Sequence, residues 1–199
     1  MPDPKDDNHA PLDKVRGNRG LARRSGFMAR RARELAQEAR ELELADDVEV
    51  VFPDKYLEAA VREELENANG PLTRGDLKRM KDLRVADKEI EDLTGLEHAV
   101  NLAELHLDEN QISDVSPLAS LTNLTTLYLT GNQISDVSPL ASITNLSDLF
   151  LNDNQIRDIS PLASLTNLTT LSLHGNPLSQ ESVDVHVPNL RDRGVTVTL

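Results

Sequence analysis

A 22-residue period runs without slippage from Leu102 to Leu178. Leu102, Leu124, Leu146 and Leu168 form one column of this period, and Leu105, Leu127, Leu149 and Leu171 a second. Leu107, Leu129, Leu151 and Leu173 form a third, and Ile112, Ile134, Ile156 and Leu178 a fourth. A fixed repeat of this length specifies stacked copies of one short unit, each burying its apolar side on its neighbours, in place of a single globular core.

The unit can be read residue by residue. Leu105 and Leu107 alternate with His106, the two-residue spacing of a strand with one buried and one outward face. Asn110, Asn132, Asn154 and Asn176 follow each strand, where the chain must turn inward. An amide side chain has two donors and two acceptor lone pairs. The column therefore reads as a structural Asn ladder, bonding turn backbone in its own coil and the next. The pairs Ser116–Pro117, Ser138–Pro139 and Ser160–Pro161 read as an N-cap followed by proline at the first helical position. Val115, Leu118 and Leu121 then point inward, and too few residues remain for anything longer than a 3₁₀ turn. Stacking such coils gives a parallel β-sheet on one side and short helical turns on the other. The denser sheet side is expected to be concave.

The flanks depart from the period in ways that suggest domain boundaries. Residues 1–50 read as a disordered to partly helical basic and acidic extension, with a helix expected over about residues 29–44. Residues 51–79 read as an N-terminal helical cap. Leu57, Val61 and Leu65 lie four apart, Asp54 precedes them, and Asn69-Gly70-Pro71 ends the helix. Thr73 and Asp76 then have capping-box spacing. Residues 80–199 are the repeats. Met80, Leu83, Val85 and Ile90 lie 22 residues before Leu102, Leu105, Leu107 and Ile112, with Lys88 in the Asn position. At the far end Leu190 continues the Leu168 column, Arg193 and Val195 take the next two positions, and Pro188 breaks the preceding stretch. Val195, Val197 and Leu199 alternate as a final strand in this degenerate C-terminal coil, one with an open edge.

Composition narrows the function. The chain has no cysteine, so disulfides, thiol catalysis and zinc–thiolate sites are excluded. Residues 1–45 carry 10 Lys/Arg and 8 Asp/Glu, whereas residues 46–199 carry 11 and 26, a net −15. So acidic a surface repels polyanions and favours a partner with a basic face. Nucleic acid is expected at most weakly, through the basic run at residues 14–33. Arg23-Arg24 resembles a twin-arginine signal, but no apolar segment follows it. No apolar run approaches the ~18 residues of a membrane span.

The repeat L-x-x-L-x-L-x-x-N followed by I-x-D-[VI]-S-P-L-A-S-[LI]-T-N-L resembles the 22-residue leucine-rich-repeat subtype of bacterial internalin-like proteins. The segment FPDKYLEAAVREEL…LTRGDLKRMKDLRV is similar to the helical N-terminal cap of that group, and NPLSQESVDVHVPNLRDRGVTV to the closing segment of many bacterial members. The resemblance covers residues 51–199. It implies an α/β fold: a right-handed leucine-rich-repeat solenoid with a concave parallel β-sheet, 3₁₀ turns on the convex side and a helical cap. It also implies a binding role. Members are commonly exported, whereas no signal peptide is visible here, which by itself points to the cytoplasm. The same repeat length occurs in a eukaryotic protein-phosphatase regulatory subunit.

On such a scaffold the outward strand positions are where coils differ. The central column is Arg84, His106, Tyr128, Phe150 and Ser172, with Glu104 and Asp148 on one flank and Asp108, Thr130, Asn152 and His174 on the other. Tyr128 and Phe150 sit on adjacent strands and should stack, since strands lie ~4.8 Å apart. These residues form the expected partner-binding surface: an aromatic strip in an acidic rim, fitted to a basic or amphipathic segment of another protein. The alternative is cross-strand packing without a ligand. No catalytic pairing, cofactor motif or metal-ligand spacing is present, so a non-catalytic, monomeric protein-interaction module is expected. A regulatory or targeting subunit of an enzyme such as a phosphatase, and a fragment of an exported surface protein, are the competing readings.

Overall fold

The computed structural model describes residues 28, 30–37, 40–41 and 46–199. The chain divides into two units, Met1–Ala45 and Asp46–Leu199. In the first, residues 30–37 are helical and exposed. The expected readings of residues 14–27, including Arg23-Arg24, lie outside the described residues.

In the second unit six short strands form one parallel sheet in sequence order: β1 Asp82–Arg84, β2 Glu104–His106, β3 Thr126–Tyr128, β4 Asp148–Phe150, β5 Thr170–Ser172 and β6 Thr196–Thr198. The register joins each residue to the one 22 positions on from β1 to β5, as in Leu105↔Leu127 and Tyr128↔Phe150. From β1 to β4 each strand is followed by a turn and a 3₁₀ segment, such as Ser116–Ser120, Ser138–Ser142 and Ser160–Ser164. The leucine columns interleave into one continuous core, with Leu105, Leu107, Leu127, Leu129, Leu149 and Leu151 fully buried. This is the α/β leucine-rich solenoid that the period dictates.

Hydrogen bonds show how the coils are joined. Asn132 donates from Nδ2 to the carbonyls of Leu129 (3.1 Å) in its own coil and Leu107 (2.9 Å) in the coil before, and its Oδ1 accepts from Ile112 N (3.1 Å). Asn110, Asn154 and Asn176 repeat the pattern. The ladder thus reaches back to the preceding coil, not forward to the next, because the turn places each amide beneath the carbonyls already laid down. Two further ladders carry no hydrophobic signal. Asn123, Asn145 and Asn167 donate to Val100, Thr122 and Thr144 O, while Ser142 and Ser164 donate to Ala119 and Ala141 O.

The convex turns are capped differently from the sequence reading. Ser116, Ser138 and Ser160 are the first residues of their 3₁₀ segments and do not cap them. Asp114, Asp136 and Asp158 do that work, each accepting from the serine N–H at 2.8 Å. Each also accepts from the serine hydroxyl. A carboxylate that accepts two bonds is favoured ionised. The serine N–H and then its hydroxyl accordingly hold the Asp136 and Asp158 carboxyls below their ordinary range.

The cap consists of the helix Lys55–Glu64 and the single turn Arg74–Leu77, which bury Leu57, Val61 and Leu77. Thr73 and Asp76 form the reciprocal capping box. Residues 46–50, grouped with the extension by sequence, are tied to this cap: Val50 N donates to Leu72 O (2.7 Å), Gly75 N donates to Asp46 O (2.8 Å), and Val50 is buried. Asp54 caps the first helix by accepting from Tyr56 and Leu57 N–H, and its second oxygen accepts from Glu91 N (2.9 Å) and Asp92 N (3.4 Å) of the first coil. One side chain therefore fastens the cap to the repeats.

The closing coil overturns part of the sequence reading. Leu171 pairs with Val197, a spacing of 26 residues, so Val197 and not Arg193 takes the leucine position. The four extra residues are absorbed by a helical segment, in which a π-turn, Ser182–His186, leads into the helix Val187–Asp192. Pro188 does not break this stretch. It stands in the first turn of the helix, where its missing N–H is tolerated, and the wide π-turn before it relieves the clash of its ring with the preceding carbonyls. Leu190 is buried on this helix, and Leu199 is 48% exposed, so only Val195 and Val197 of the final alternation point inward. Arg193 lies on the surface, where Nη1 donates to Ala163 O (2.8 Å) and Nη2 to Leu165 O (2.6 Å). Ala163 O is the next acceptor in the serine ladder, so the guanidinium ends that ladder.

Candidate functional site

The outward side of the sheet presents a three-ring stack. The strand pairing Glu104↔Thr126, Leu105↔Leu127, His106↔Tyr128 puts the imidazole beside the phenol ring, and Tyr128↔Phe150 continues the row. His106 and Tyr128 lie 4.1 Å apart between centroids and 10° from parallel. Tyr128 and Phe150 lie 4.5 Å apart and 7° from parallel. Sequence reasoning placed Tyr128 and Phe150 together but left His106 out of the stack. The signal was available, since an imidazole on the adjacent strand in the same column can only sit one strand spacing away. The rings stack along the solenoid, so their edges, with the ring planes upright, face the open side.

One end of the row is pinned electrostatically. His106 Nε2 donates to Glu104 Oε1 at 2.7 Å, and Arg84 Nη2 donates to the same oxygen at 3.0 Å. The imidazole side chain is only 16% exposed, clamped between carboxylate and phenol ring. These bonds, that of His106 foremost, hold the Glu104 carboxyl below its ordinary range. Arg84, Glu104, His106, Tyr128 and Phe150 are thus one connected group.

The other expected residues divide. Ser172 continues the central column, and its hydroxyl lies 2.7 Å from that of Thr198 on the last strand. Asp148 flanks the row and accepts from the Ser147 hydroxyl at 2.6 Å. Asp108 and Asn152, by contrast, are engaged by the fold: Asp108 Oδ1 accepts from Thr130 N and Asn152 Oδ1 from His174 N, each at 3.0 Å. They brace successive turns, and their oxygens are not both free for a ligand. Thr130 and His174 alternate with them on the same flank, with His174 exposed.

A further feature of this edge was not recognised from sequence. Asp87, Glu109, Gly131, Asp153 and Gly175 fall 22 residues apart and all have positive φ, between 53° and 76°. Only glycine adopts this region without strain. The turn conformation is therefore imposed by stacking, and three acidic residues bear it.

Models for leucine-rich repeats (two copies) match residues 100–142 and 144–184. Among solved structures, the chain is similar to an internalin (InlF) from Listeria monocytogenes, at 38% identity over 74% of this chain and 43% of that one, with a TM-score of 0.67. It is also similar in fold to the functional domain of InlJ from the same organism, which includes a cysteine ladder, at 22% identity over 65% of this chain and 38% of that one, TM-score 0.50. The chain therefore spans less than half the length of these proteins. No match is found among curated proteins. Among the described residues no helix is long and apolar enough to cross a membrane.

Proposed function

Because the chain is a leucine-rich-repeat protein of the internalin-like type, we propose that it is a non-catalytic interaction module that holds a basic or amphipathic segment of another protein against the outward face of its sheet. The observation that carries this reading is the His106–Tyr128–Phe150 stack. Three rings fixed by their neighbours have already lost their rotamer freedom, so a partner meets a rigid apolar edge at little further entropic cost. Rigid aromatic anchors of this kind dominate interface energetics. The acidic flanks, Glu104 and Asp148, favour a cationic partner and steer its approach. The net −15 of residues 46–199 acts in the same direction at longer range.

The test is partner capture by the full chain with and without Tyr128→Ser and Phe150→Ser together, with the convex-side variant Thr144→Ala as control. Loss of the same captured proteins from the double variant alone is the expected result. Equal capture by all three chains would overturn the reading.

A further inference from the structure

The aromatic row stops two strands short of the rear of the sheet. Phe150 has Tyr128 on one side, and on the other its register partner is Ser172, whose side chain is a single hydroxyl bonded to that of Thr198. The ring of Phe150 therefore turns one face toward a position that the chain leaves to two small side chains. Strands lie ~4.8 Å apart. A planar group seated over Ser172 would thus meet Phe150 at the spacing that separates Phe150 from Tyr128, 4.5 Å.

The carboxylates suggest what that planar group is. At the front of the row the chain supplies its own guanidinium, with Arg84 in the central column and bonded to Glu104 on the neighbouring strand. At the rear the matching carboxylate is Asp148, in the same flank column as Glu104 and on the strand next to Ser172. Asp148 Oδ2 accepts from Ser147, and Oδ1 has no hydrogen bond among the described residues. No Lys or Arg occurs between Lys88 and Arg157, so the chain offers no cation along this stretch.

We propose that the face of Phe150 over Ser172 receives the guanidinium of an arginine presented by the partner, stacked on the ring and paired with Asp148. This rests on the binding role proposed above for the same face, and adds the identity of the recognised side chain. Guanidinium is planar and weakly hydrated, so it stacks on an aromatic face while its edge donates to a carboxylate and hydroxyls. An ammonium is compact and strongly hydrated, and gains less from a flat ring. Arginine is thus preferred over lysine at this position.

The test titrates the full chain with acetylated, amidated hexa-arginine and hexalysine at equal ionic strength, followed by amide chemical shifts. Hexa-arginine is expected to bind about fivefold or more tightly than hexalysine, with shifts centred on Asp148, Phe150, Ser172 and Thr198. Ser172→Phe, which fills the position with a fourth ring, should abolish the arginine preference. Asp148→Asn should weaken hexa-arginine several-fold. Equal affinity for the two peptides, or an arginine preference that survives Ser172→Phe, overturns the proposal. If both peptides bind equally and both are lost in the Tyr128→Ser/Phe150→Ser chain, the arginine position fails but the binding face stands. If neither peptide shifts any residue of the sheet face, both fail.

Discussion

The imidazole of His106 lies face to face with the phenol ring of Tyr128, 4.1 Å between centroids, while its Nε2 donates to Glu104. One residue therefore couples the acidic flank to the aromatic row. Stacked aromatic pairs contribute about 0.5–1.5 kcal/mol beyond their burial. A double-mutant cycle of His106→Ala and Tyr128→Ala, read by chemical denaturation, should give a coupling energy of about 1 kcal/mol. Strict additivity would mean the two rings merely coincide.

Acid should dissolve the same group. The Glu104 carboxyl titrates below its ordinary range in the folded chain, held down first by His106 and also by Arg84. Its contribution is fully present above the unfolded value, about 4.3, and is lost as pH falls through the lower folded value. Wild type should thus be more stable than Glu104→Gln above that window, and the difference should vanish below it. A gap independent of pH would sink this assignment.

The Asn ladder predicts a gradient along the solenoid. Asn132→Ala leaves the Ile112 N–H without a partner in a buried turn, and takes one of two amide donors from each of the Leu107 and Leu129 carbonyls, which keep Asn110 and Asn154. A buried donor left unpaired costs about 1–3 kcal/mol, so a loss of about 2 kcal/mol is expected. Asn176 is only half-buried, at the end of the row, and Asn176→Ala should cost clearly less. Equal losses in denaturant titrations would contradict the burial argument.

Asp54→Ala removes an N-cap and two bonds to the first coil at once. Cap loss alone costs about 1 kcal/mol. Hydrogen exchange should rise at Tyr56, Leu57, Glu91 and Asp92 together. A change confined to Tyr56 and Leu57 would show that the cap and the first coil are not fastened by this side chain.

Arg193→Ala should loosen the closing coil, because Ala163 O loses its donor and Leu165 O keeps only the longer bond from Leu168 N (3.4 Å). Exchange protection should fall around residues 187–198 while coils nearer the cap are unaffected. Arg193→Lys should restore only part of it, since an ammonium cannot span both carbonyls with a planar fork.

The sequence by itself determined the solenoid. The leucine columns recur at one spacing, each coil can bury its apolar side only on a neighbour, and that requirement fixes the sheet, its parallel order and the register from β1 to β5. It also put Tyr128 and Phe150 side by side, because outward residues in one column must lie a strand apart. The tertiary structure alone decided what depends on side chains meeting from different coils. Two examples are the bracing of Asp108 and Asn152 by the next coil's backbone, and the shift that gives Val197 the place counted out for Arg193. Periodicity reports which residues are equivalent, whereas hydrogen bonds and inserted turns depend on distances between residues that need not be equivalent.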